Sequence, residues 1–159
     1  MAPFSPGRRQ LLQALAGLGL GAFSAPASAS DPIAVVMGSS SRQRVISSDK
    51  LRRVFLALPT DGEDGRRFLP INLSQSSAAR ARFDRAVLEM SPEEVARYWI
   101  DQRLRGNKPP RSAATIDICR GALQELPGAI SYLPLSQAGS LRVLSIDGRA
   151  PGDAAYPLR

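Results

Sequence analysis

Short apolar blocks separated by polar, Gly/Pro-bearing stretches run along most of the chain. IAVVM (33–37) is an unbroken apolar, β-branched-rich run closed by Gly38 and three serines, the pattern of a buried strand that leads into a polar loop. SSDKLRRVFLAL then sets Leu51, Val54, Phe55 and Leu58 at helical spacing, with Ser47 or Ser48 available as N-cap. TDGEDGRR (60–67) is turn chemistry, and FLPIN (68–72) predicts a second strand whose Pro70 places it at an edge or delays its start. A helix from Ser77 to about Met90 would carry Ala79, Phe83, Ala86, Val87 and Met90 on one face. Ser91, Pro92 and Glu94 form a capping box with proline at the first helical position, so a third helix starts there and buries Val95, Tyr98 and Trp99. The basic loop RLRGNKPPRS (103–112) follows. Thr115 to Leu126 predicts a fourth helix with Ile118, Ala122, Leu123 and Leu126 inward, ended by Pro127 and Gly128. AISYL (129–133) and LRVLSI (141–146) predict the last strands, and DGRAPGDAAYPLR (147–159) a loose, flexible C-terminal tail. Strands alternating with helices define an α/β class: a small mixed-sheet α/β sandwich, in which ligands are expected at loops following strand ends.

The first 29 residues stand apart from this pattern. Arg8 and Arg9 precede a largely apolar run (11–23), and Ala27-Ser28-Ala29 offers a small-x-small cleavage site, so residues 1–29 are expected to be a cleaved export signal. The run is too short for an ordinary membrane span. Leu11 and Leu12 after the arginine pair suit a twin-arginine signal, and an ordinary secretory signal fits as well. Cleavage would leave 130 of the 159 residues, one compact domain over 30–146 plus the tail, in the periplasm and not integral to a membrane.

Charge and composition then narrow the chemistry. The leader holds two arginines and no acid, so removing it takes the net charge from +7 to +5. Such a surface suits anionic small molecules, anionic headgroups or an acidic protein; nucleic acid is disfavoured because the aromatics are not interleaved with the basic residues. The chain has no histidine and one cysteine, Cys119, which removes the usual general base, any intramolecular disulfide and a zinc site. No nucleophile, base and orienter can be assembled, so an enzyme is not expected, nor a metal or cofactor.

One contrast within the chain points to a ligand. The helix begun by Ser91 has Glu93 and Glu94 in its first turn, as the helix dipole prefers, whereas the helix begun by Ser77 carries Arg80 and no acid. A bound oxyanion would turn that mismatch of about 0.3–1 kcal/mol into attraction. Ser74, Ser76 and Ser77 would offer hydroxyls, Ala78 and Ala79 backbone N–H groups, and Arg80 a full charge. Ser39 and Ser40, with Ser41, at the end of the first strand would supply a second wall. The plainer account is that Ser77 only caps, while Arg80 pairs with Asp84 and Arg85 with Glu89, each pair worth a few tenths of a kcal/mol.

ISSDKLRRVFLA, DGRRFLPINLSQSSAARARF and PGAISYLP, in that order, resemble the phosphate-type substrate-binding proteins of bacterial ABC transporters, the type 2 periplasmic-binding-protein fold. The resemblance rests on Leu51, Val54 and Phe55, on Asp64 and Gly65, on Pro70, on Ser74 to Ser77 and on Pro127 to Tyr132, and it extends over roughly 33–146. Ser131 stands where the family usually has glycine, and SQSSA replaces its Ser-Gly-Thr type loop. The family is two-lobed, and this chain resembles mainly one lobe. The resemblance implies an exported solute-binding-like protein taking phosphate or a related oxyanion and serving an ABC permease or other envelope protein. The alternative is a periplasmic protein-interaction module that keeps the fold without a ligand.

Overall fold

The computed structural model describes residues 31–159; the expected export signal lies outside them. Six strands form one sheet: β1 (Ile33–Met37), β2 (Val45–Ile46), β3 (Leu69–Asn72), β4 (Arg111–Ser112), β5 (Ala129–Pro134) and β6 (Arg142–Ile146), in the order β2-β6-β1-β5-β3-β4. Four helices accompany them: α1 (Ser48–Phe55), α2 (Ala78–Phe83), α3 (Pro92–Leu104) and α4 (Ile116–Glu125). The class is α/β with a mixed sheet, as the alternation of patterns predicts. A π turn over Asp84–Leu88 carries α2 onward without a break and ends at Glu89 in the left-handed conformation.

Strand direction organises the molecule. β1 runs antiparallel to both neighbours, β5 and β6, while β2 is parallel to β6 and β3 is parallel to both β5 and β4. β1 is therefore the one strand of the six that points the other way. All the others end at a single edge of the sheet, and α1, α2 and α4 begin from that edge, after β2, β3 and β4.

β1 is buried along its whole length because strands flank it on both sides and helices cover both faces. Tyr132 on β5 turns to one face, where Phe83 of α2 stacks on it at 3.8 Å and Phe55 of α1 meets Phe83 edge-on at 4.7 Å. Its neighbour Ser131 turns to the other face, as strand alternation requires, and there meets Cys119 of α4. Ser131 Oγ donates to the Ile71 carbonyl at 2.7 Å and receives the Cys119 thiol at 3.2 Å, so this buried hydroxyl is satisfied. Burial pushes the Cys119 thiol above its ordinary range, which suits an inert core residue.

The capping box at Ser91 forms as expected, with Ser91 Oγ accepting from Glu94 N–H and the Glu94 carboxylate accepting from Ser91 N–H. Pro70 sits in the half of β3 that β4 does not reach, since β4 pairs with Ile71 and Asn72 alone. Three expectations are corrected. The C-terminal segment is not loose: Tyr156 and Leu158 are buried, and the Leu158 carbonyl accepts from Ile33 N–H at 2.8 Å. Their side chains close the core beside the start of β1, an apolar gain that outweighs the Gly/Pro content around them. Ile118 and Leu126, expected inward, stand exposed, as does Leu58, which lies beyond the end of α1 at Phe55. Glu89 pairs with Arg52 of α1 rather than with Arg85, because the π turn changes which side chains share a face.

Candidate functional site

Four serine or threonine residues precede the four helices, and three of them cap. Ser47 accepts from Lys50 N–H, Ser91 from Glu94 N–H and Thr115 from Ile118 N–H. Ser77 makes no such bond. The N–H groups of Ala78, Ala79 and Arg80 consequently find no acceptor among the described residues, and the Ser77 hydroxyl is uncommitted. The loop before it is folded back on itself: Ser77 N–H donates to the Ser74 carbonyl at 3.0 Å, and the Ser74 and Ser76 hydroxyls lie 3.0 Å apart.

Arg80, the third residue of α2, is only 7% exposed. Its Nη1 donates to the Leu73 carbonyl at 2.9 Å and to Ser112 Oγ at 3.3 Å, and its Nε faces Asp84 Oδ2 at 3.5 Å. A guanidinium has five N–H donors, and these contacts use three. The two on Nη2 meet no acceptor among the described residues. Asp84 is also buried, and desolvation outweighs the neighbouring Arg80 charge, so its carboxyl titrates above the ordinary range. Arg80 and Asp84 line a cleft of about 530 Å³ together with Gln75, Trp99, Arg103 and Ser112. Both accounts of Arg80 thus meet in one geometry: it pairs with Asp84 and still holds unspent donors.

The structure separates the six predicted site residues into two groups. Ser74, Ser76, Ser77 and Arg80 gather at the edge where β3 ends. Ser39 and Ser40 do not join them. They follow β1, the reversed strand; Met37 is level with Ile130, which is level in turn with Pro70 at the start of β3. The second wall expected from Ser39 and Ser40 therefore lies at the opposite edge of the sheet. There Ser39 Oγ donates to Gln124 Oε1 at 3.0 Å, and Ser40 borders a separate cleft with Arg42 and Arg66. Ser112 and Gln75 were missed by sequence reasoning. Nothing local marks Ser112, which ends a two-residue strand; Gln75 lies inside the SQSSA loop without a charge or hydroxyl to single it out.

No protein-family model matches the sequence, and no curated protein matches it. Solved structures do share its fold. A phosphate ABC transporter substrate-binding protein from Clostridium perfringens, solved with bound phosphate, is similar over 76% of this chain and 47% of its own, with a TM-score of 0.62 at 14% identity. An ABC-type phosphate transport receptor from Vibrio cholerae matches 76% of this chain and 48% of its own, with a TM-score of 0.61 at 11% identity. PstS from Borrelia burgdorferi matches 76% of this chain and 49% of its own, with a TM-score of 0.58 at 14% identity. The chain has the fold of phosphate ABC transporter substrate-binding proteins and spans about half the length of these structures, which agrees with one lobe of a two-lobed binding protein. Among the described residues no helix is long and apolar enough to cross a membrane.

Proposed function

We propose that the chain is an exported, non-enzymatic solute-binding-like domain that takes phosphate or a related oxyanion at the loop and helix start formed by Ser74, Ser76, Ser77 and Arg80. The observation that carries this reading is an uncapped helix start whose third residue, Arg80, has a buried guanidinium with two spare N–H donors. Such a start concentrates partial positive charge and unpaired N–H groups, which an anion satisfies. Arg80 adds charge-assisted hydrogen bonds from a head held by Leu73, Ser112 and Asp84, so little ordering is left to be done on binding. Asp84 offsets part of the Arg80 charge, and it also offers an acceptor to a protonated oxyanion. The site belongs to one half of a cleft; tight capture would need a second wall from a partner polypeptide or a second copy, since a half-open site leaves the anion in high dielectric. Delivery to an ABC permease or another envelope protein is the role that goes with this reading.

Isothermal titration calorimetry of the signal-free protein with phosphate and with sulfate tests it. Heat of binding that weakens in Ser77→Ala and Ser76→Ala, at unchanged melting temperature, is the expected result. Absence of heat, with no rise in melting temperature at millimolar phosphate, would overturn it.

A further inference from the structure

Seven large apolar residues are exposed among the described residues, and four of them, Leu58, Leu69, Ile118 and Leu126, line one groove. It encloses about 580 Å³ along the part of β3 that β4 leaves uncovered, between the C-terminal end of α1 and α4. Exposed apolar groups gathered in one concavity mark an interaction surface more strongly than the same groups scattered. Ile118 and Leu126 lie on the α4 face whose periodicity predicted burial, so the helix carries an apolar stripe wider than its own core uses.

Three features of the groove define its occupant. Its charged lining residues are Arg67, Lys108 and Arg111, with no acid among them. Lys108 and Arg111 form no ion pair among the described residues, and Arg67 meets Asp61 only at 3.8 Å with both side chains well exposed, so the positive charge is largely uncompensated. The open edge of β3 also lacks donors for another strand. Phe68 N–H is spent on the Thr60 carbonyl and Pro70 has none, while Leu69 N–H points away from that edge, to the Gly128 carbonyl beside β5. A strand added there would gain few ladder bonds, which leaves side-chain docking as the mode available.

We infer that this groove is a docking site for an acidic amphipathic helix of a partner protein, its apolar face against Leu58, Leu69, Ile118 and Leu126 and its carboxylates toward Arg67, Lys108 and Arg111. The groove adjoins the cleft of Arg80 and Asp84, with which it shares Pro109, Pro110 and Ser112, but its occupant follows from its own apolar and basic lining and does not rest on the oxyanion reading.

The probe is a fluorescein-labelled synthetic peptide of about 15 residues, with leucines at helical spacing and Asp and Glu elsewhere. Two control peptides replace either the acids by Lys and Arg or the leucines by serine. Fluorescence anisotropy on the signal-free protein should show the acidic peptide binding at least about tenfold more tightly than either control and weakening with added salt. Ile118→Asp should lower its affinity by about tenfold. Because Ile118 is exposed, that variant should keep its melting temperature; Arg67→Glu/Arg111→Glu leaves the apolar walls intact and should shift preference toward the basic peptide. Equal binding of acidic and basic peptides, no binding of the acidic one, or indifference to both variants would overturn the inference. So would sedimentation showing a dimer that Ile118→Asp dissolves, since the occupant would then be a second copy.

Discussion

Arg80 and Asp84 face each other one helical turn apart, Nε to Oδ2 at 3.5 Å, with side chains only 9% and 7% exposed. The pair is therefore far from the exposed i,i+4 pair that its spacing describes. Buried charges are costly unless each satisfies the other, so removing one partner should destabilise much more than removing a surface pair. Asp84→Ala, which leaves Arg80 uncompensated, should cost about 3–5 kcal/mol in urea unfolding. A loss below about 1 kcal/mol, the range of exposed pairs, would show the two charges to be solvated.

The same pair fixes a pH dependence. Burial raises the folded-state pKa of Asp84 above its unfolded value. The folded chain then holds this proton more tightly, so the contribution of Asp84 is fully present below the unfolded pKa and is lost as pH rises through the folded one. Asp147 runs the other way: hydrogen bonds from the Ser48 hydroxyl and Ser48 N–H lower its pKa, so its contribution is present above the unfolded pKa and fades as pH falls through the folded one. Unfolding free energies measured from acid to neutral pH should therefore decline less with rising pH in Asp84→Asn than in the wild type, and should decline less with falling pH in Asp147→Asn. Parallel curves for wild type and Asp84→Asn would contradict the burial assigned to this carboxyl.

The C-terminal segment is part of the core. Leu158 is buried and its carbonyl accepts from Ile33 N–H, so Leu158→Ala should cost about 2–5 kcal/mol. Truncation after Gly152 would remove Tyr156 as well and should lower the melting temperature further. A truncated chain that melts where the full chain does would show the segment to be dispensable.

Gly128 joins α4 to β5 at φ +84°, and a Cβ there would come within 2.6 Å of the Arg67 carbonyl oxygen. Both the left-handed backbone and the close approach require glycine. Gly128→Ala should destabilise by more than about 1 kcal/mol; a stability equal to wild type would mean that the turn relaxes freely.

Much of the fold was legible because it follows from local periodicity. β1 reads as a strand from five consecutive apolar residues, and α3 declares itself through Ser91, Pro92 and Glu94. β2 and β4 have two residues each, too few for any period, and exist because β6 and β3 offer them parallel partners. Tyr156 and Leu158 were hidden among Gly and Pro; only the shape of the core shows that two apolar side chains fit there. The Ser74–Ser77 and Arg80 cluster was legible from a charge that does not suit a helix start. Its separation from Ser39 and Ser40 was not, because strand direction is a property of the whole sheet: one reversed strand, β1, sends its loop to the far edge. Arg80 also read as a surface cation, since its burial depends on Leu73, Ser112 and Asp84 arriving from three places along the chain.

The proposed oxyanion site has a fixed position, the start of α2 together with the Arg80 guanidinium. The most direct test is a titration of the 15N-labelled, signal-free protein with phosphate, followed through backbone amides and arginine side-chain N–H resonances. Binding there should give saturable shifts largest at the amides of Ser77 to Arg80 and at the Arg80 guanidinium, with Ser39 and Ser40 unmoved. Shifts confined to the cleft beside Ser40, Arg42 and Arg66, or none at the start of α2 at millimolar phosphate, would contradict it.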